Sequence, residues 1–110
     1  MARRPVELRA HAADDIERAV DHYLDEAGES VALRFIDAVE HAVGRISRAP
    51  LTGTLRFSYE LGIPDLRASP LGRFPYLMFY VAGVDRVEVW RVLHTRRDIP
   101  AAMAEEIDDP

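Results

Sequence analysis

A chain of 110 residues with no cysteine has one domain's worth of core to bury and neither disulfides nor thiolate metal sites to help it, so packing must hold the fold. Its formal net charge is -5 and all fourteen basic residues are arginine, a balance that argues against gripping nucleic acid through phosphates; no direct nucleic-acid binding is expected. No segment approaches the roughly 18 consecutive apolar residues of a membrane span, and Met1 to Pro5 leads into no apolar secretion signal, so no membrane association and a cytoplasmic location are expected.

Pro5 to Arg9 alternates apolar and polar residues and reads as a short strand at a sheet edge. From Ala10 the period changes: Ile16, Ala19, Val20, Tyr23, Leu24 and Ala27 fall at helical spacing, with Asp14 and Asp15 toward the start, where a helix dipole favours anions, and Gly28 as C-terminal cap. Ser30 is placed to cap a second helix whose stripe is Ala32, Phe35, Ile36, Val39, Ala42, Val43 and Ile46, and Pro50 ends it. Only Gly28 and Glu29 separate the two segments, which forces an antiparallel helical hairpin.

Leu51 to Pro75 is rich in turn signals. Leu66 to Ser69 reads as a strand pairing back onto Tyr76 to Val81, and Phe57 and Tyr59 as a brief strand or a loop with two anchors. Tyr76 to Val81 and Arg86 to His94 form a hairpin around Ala82 to Asp85. In the second of these strands, alternation puts Val87, Val89, Arg91 and Leu93 on one side and Glu88, Trp90, Val92 and His94 on the other. Both strands are apolar on more than one face and are expected at the centre of the sheet. Trp90, the bulkiest residue there, is expected to cost about 3–5 kcal/mol on truncation to alanine. After Asp98 as cap, residues 101–107 form one or two turns of helix, and 108–110 should fray.

The order β-α-α-β-β-β with a short C-terminal helix predicts a single α+β domain over 1–110: a helical hairpin packed on a small, largely antiparallel sheet. One hairpin covers one face, so some of the apolar residues on the other face should stay exposed for a binding partner.

The exit of the last strand, His94 to Asp98, packs four ionisable groups into five residues of loop. Arg67, Arg73, Arg91, His94, Arg96 and Arg97 are the candidate contacts to a partner or target. Asp98 is expected to act as a cap or as a salt-bridge partner of Arg97. Arginine stays protonated and serves poorly as a general base, and there is no lysine, so no catalytic residue is assigned. His94 reads first as a hydrogen-bonded structural residue and second as a base supported by Arg97. His22 with Glu26, and Asp37 with His41, have the i,i+4 spacing of a metal pair, but helix surfaces are full of such pairs; neither metal nor cofactor is expected.

Ala13, Asp15 and Ile16 with Tyr23 and Leu24, then Ala32, Phe35 and Ile36, Pro50 and Gly53, Arg67, Phe79 and Tyr80, and the closing string Arg91-Val92-Leu93-His94, Arg97-Asp98-Ile99-Pro100, together resemble the ParE branch of the RelE/ParE toxins from about Val6 to Met103. The resemblance implies the toxin of a type II toxin-antitoxin system: a non-enzymatic inhibitor of DNA gyrase acting by protein-protein contact, neutralised in a hetero-oligomer by a cognate ParD-like antitoxin. The alternatives it leaves open are a RelE-like, ribosome-dependent mRNA endonuclease and a non-toxic corepressor that only binds its antitoxin.

Overall fold

The computed structural model describes residues 3–108. Its elements are β1 (Val6–Leu8), α1 (Ala10–Ala27), α2 (Glu29–Arg48), α3 (Arg56–Leu61), β2 (Arg67–Leu71), β3 (Phe74–Ala82), β4 (Val87–His94) and α4 (Ile99–Asp108). The sheet runs β1-β4-β3-β2, with β1 parallel to β4 and the other pairs antiparallel. The expected α+β hairpin-on-sheet architecture is the one observed, with the short first strand at an edge and the 74–94 hairpin at the centre. Asp108 closes α4; the fraying expected of Asp109 and Pro110 lies outside the described residues. No helix among the described residues is long and apolar enough to cross a membrane.

One glycine makes the helical hairpin. Gly28, at φ 91, donates its N–H to the Tyr23 carbonyl at 2.9 Å and accepts the Ala32 N–H at 3.2 Å, so it closes α1 and opens α2 in a backbone region that costs other residues dearly. The side-chain cap expected from Ser30 is not used: α2 already starts at Glu29, with no side-chain capping bond. The facing stripes then bury Ala12, Ala19, Phe35, Val39, Ala42 and Ile46 against Met78, Tyr80, Val87, Val89 and Val92.

The strand-face assignment needs a correction. Phe79 pairs with Arg91 but Tyr80 pairs with Val89, which leaves Trp90 as the extra residue of a β-bulge. An inserted residue reverses the alternation. Val87 and Val89 before it, and Val92 after it, all face the helical hairpin, whereas Leu93 faces away with Phe79 and Met103. Trp90 is half-buried, with the Arg9 guanidinium 4.1 Å above its ring, so its truncation should cost less than that of a fully buried tryptophan.

The second face is more covered than the expectation of exposed apolar residues there implies, with Leu77, Val81 and Trp90 only partly buried on it. Residues 56–61 are helical, and Phe57 and Leu61, four apart, turn inward while Tyr59 points out at 83% exposure. Phe57 meets Phe79 at 5.1 Å. With Ala102 and Met103 of α4, this helix covers a second core of Ile63, Leu66, Ala68, Phe79 and Leu93.

The turn-rich loop before β2 is pinned by Tyr80. Its hydroxyl donates to the Pro50 carbonyl at 2.8 Å and accepts the Gly53 N–H at 3.0 Å, and a Cβ on Gly53 would fall 2.6 Å from that hydroxyl. Tyr80→Phe strips both loop groups of their partner at a fully buried position and should cost about 1–3 kcal/mol. Urea unfolding measures it: a midpoint equal to that of the parent would mean the loop finds replacement bonds.

Candidate functional site

Asp15 is a carboxylate set in the apolar stripe of α1, three residues after Ala12 and four before Ala19, and it is buried at 6% exposure. Its counterpart is Arg91, the buried charge of β4, at 2%. Arg91 Nε donates to Asp15 Oδ2 at 2.8 Å and Nη2 to Oδ1 at 2.9 Å, the two-pronged geometry in which an arginine–carboxylate pair is strongest. β1 ends opposite Val89, so the outer edge of β4 has no strand partner beyond it; Asp15 Oδ2 accepts the Val92 N–H there at 3.0 Å. Arg91 Nη1 donates to the Ala102 carbonyl at 2.8 Å and lies 3.5 Å from Glu105. These bonds tie α1, β4 and α4 together. The hydrogen bonds to Asp15 lift Arg91 above the ordinary arginine range, against the opposing pull of desolvation.

Arg91 was expected as a contact to a partner, and burial overturns that reading. Its guanidinium is spent on Asp15 and on a helix carbonyl. Arg67 is half-buried and holds the 51–53 loop, donating from Nη1 to the Leu51 and Gly53 carbonyls at 2.9 Å each. It sits opposite Tyr80, at the far end of the sheet from His94.

The remaining candidates gather at one end. Tyr76 pairs with His94 and the Thr95 N–H donates to the Pro75 carbonyl at 2.9 Å, which puts Arg73, in the turn before β3, at the same end as Arg96 and Arg97, just past β4. All three are exposed. Asp98 serves as the cap of α4, accepting the Ala101 N–H at 3.1 Å, while Arg97 reaches toward Asp15 with Nη1 3.9 Å from Oδ1.

Between α1 and this end of the sheet lies an open cleft of about 140 Å³ lined by Asp15, Arg18, Tyr76, His94 and Arg97, floored by Ala19 and Val92. His94 Nδ1 accepts the Arg96 N–H at 3.0 Å. In the neutral ring the proton therefore sits on Nε2, which makes that nitrogen a donor. The His94 ring stands edge-on to Tyr76 at 5.2 Å, and burial raises the Tyr76 phenol above its ordinary value, helped by Tyr23 and Asp15. Asp15, Arg18 and Tyr76 are the site residues that sequence reasoning did not name as site candidates. Asp15 carried a signal, a charge inside an apolar stripe matched by an arginine inside a largely apolar strand; Arg18 carried none.

Of the helical pairs considered for metal, His41 Nδ1 donates to the Asp37 carbonyl at 2.8 Å, and the His22 ring packs edge-on against Tyr23 at 5.3 Å. Among the described residues no three His, Asp or Glu side chains converge as metal ligands would.

Residues 6–99 match the family model of the ParE toxin of the type II toxin-antitoxin system parDE. Among solved structures, the chain is similar to a chromosomal ParDE toxin-antitoxin system from P. aeruginosa, with TM-score 0.69 and 21% identity over 83% of this chain and 95% of that one. At that identity the likeness speaks for the fold. The comparison with curated proteins found no match.

Proposed function

This chain belongs to the ParE toxin family, and from that premise we propose that it inhibits DNA gyrase by protein-protein contact in the cytoplasm and is silenced by a cognate ParD-like antitoxin bound to it in a hetero-oligomer. The observation that carries the reading is the concentration of exposed Arg73, Arg96 and Arg97 at one end of the sheet of a chain whose net charge is -5. A local positive surface on an acidic body selects an acidic partner surface and orients it. A contact mechanism also suits His94, whose Nδ1 is taken by the Arg96 backbone and whose Nε2 is then a donor and not a base.

Induction of the gene in a bacterium tests this directly. SOS induction and filamentation are the expected result. Prompt arrest of translation with mRNA cleavage would point to a nuclease, and undisturbed growth to a corepressor. Arg96→Ala should weaken growth arrest without lowering the melting temperature, since an exposed single charge contributes at most about 0.5 kcal/mol. Full toxicity in Arg96→Ala would remove that arginine from the contact surface, and abolition by His94→Ala alone, with the fold retained, would favour the nuclease.

A further inference from the structure

The cleft beside Asp15 is unusual in its balance of donors and acceptors. Arg18, Arg97, Tyr76 and His94 line it, and the His94 Nδ1 is already occupied. Its single anion, Asp15, already takes three hydrogen bonds, two from Arg91 and one from the Val92 N–H. The charge of Asp15 is matched by Arg91, so Arg18 and Arg97 are left in excess. Arg18 is exposed, and the nearest contact of Arg97 is long, at 3.9 Å. A small notch with surplus cationic donors and a saturated carboxylate is built to accept one more oxyanion.

We propose that this notch receives the carboxylate of an aspartate or glutamate from an acidic peptide segment of a binding partner. This rests on the reading that this end of the sheet is a partner surface, and it names the group the partner must present there. Arg18 and Arg97 hold the two carboxylate oxygens, His94 Nε2–H adds a neutral donor, and the Tyr76 hydroxyl completes the shell. A peptide carboxylate is favoured over a phosphate chain because the notch is closed on one side by α1 and admits one side chain, whereas tracking a nucleic-acid backbone needs a continuous basic groove, and the chain as a whole is acidic.

The test uses the purified full-length chain and a capped tetraglutamate peptide, with tetraglutamine and a short single-stranded oligonucleotide as comparisons, followed by NMR of backbone amides and arginine Nε–Hε groups. Tetraglutamate should shift the signals of Arg18, His94 and Arg97 saturably, and tetraglutamine should not. Arg18→Gln, which removes an exposed side chain, should weaken tetraglutamate binding about tenfold at unchanged melting temperature. Arg86→Gln, at the far end of the sheet, removes the same charge and should leave the affinity within about twofold. Equal weakening by both variants, equal binding of the two peptides, or no saturable binding would overturn the proposal. So would tighter binding of the oligonucleotide at the same signals. Because no cell is involved, a chain without toxicity still reports on the notch, and a toxic chain that ignores tetraglutamate rejects the notch alone.

Discussion

Asp15→Ala should lower the stability of the protein by about 3–5 kcal/mol, because it leaves the Arg91 guanidinium uncompensated in the interior. Arg91 is 2% exposed, and without Asp15 it keeps only the Ala102 carbonyl at 2.8 Å and the exposed Glu105 at 3.5 Å. The Val92 N–H loses its acceptor as well. Out of the roughly 5–15 kcal/mol typical of a domain, such a loss is a large share, and for a chain of this size it corresponds to a drop on the order of 15–30 °C in melting temperature. Denaturant unfolding of Asp15→Ala, Arg91→Met and the double variant separates the cost of breaking the pair from the worth of the pair itself. The double variant should recover most of the loss, since two apolar side chains leave no buried charge behind. A loss below about 1 kcal/mol in Asp15→Ala would mean that Arg91 escapes to water, and the three-element tie would not be a structural necessity.

Phe35→Ala is expected to cost about 3–5 kcal/mol, toward the upper end. Phe35 is fully buried and its ring meets Tyr23 at 5.4 Å, Phe74 at 5.2 Å and Tyr76 at 5.1 Å. The contacts to Phe74 and Tyr76 are edge-to-face, and such pairs contribute about 0.5–1.5 kcal/mol each beyond area burial, so the cavity and the lost ring contacts act together. The consequence reaches the candidate site, because Tyr76 sits between Phe35 and His94. Thermal unfolding gives the stability change, and the aromatic signals of Tyr76 should broaden or shift with it. Phe57→Ala, at a half-buried ring that meets Phe79 alone among the rings, is the comparison and should cost clearly less. Equal losses for the two would mean that the face under the helical hairpin carries no more of the stability than the opposite one.

How much was legible in the sequence follows from which interactions are local. The two helices announce themselves through a 3.6-residue stripe and a glycine between them, and the central hairpin through two apolar runs around a short turn. Asp98 as a cap rests on a contact only three residues away in the chain. The helix at 56–61 was missed because an aromatic at every second position imitates a strand, while the i,i+4 pair of Phe57 and Leu61 that marks the helix spans barely more than one turn.

By itself, then, the sequence determined the order of the elements other than the 56–61 helix, the hairpin-on-sheet architecture and the positive end of the last strand, since each depends on spacing along the chain. Tertiary structure decided which arginines are available. Arg67 and Arg91 stand in the sequence beside Arg73, Arg96 and Arg97 as equal contact candidates, yet one clamps a loop and the other is locked to a carboxylate 76 residues away. It also decided the faces of β4, because a bulge at Trp90 is set by register with β3 and leaves no trace in composition. The physical reason is the same in both cases. A charge buried far from water must find its partner in space, and a strand takes its register from its neighbour, so neither can be computed from the residues on either side of it in the chain.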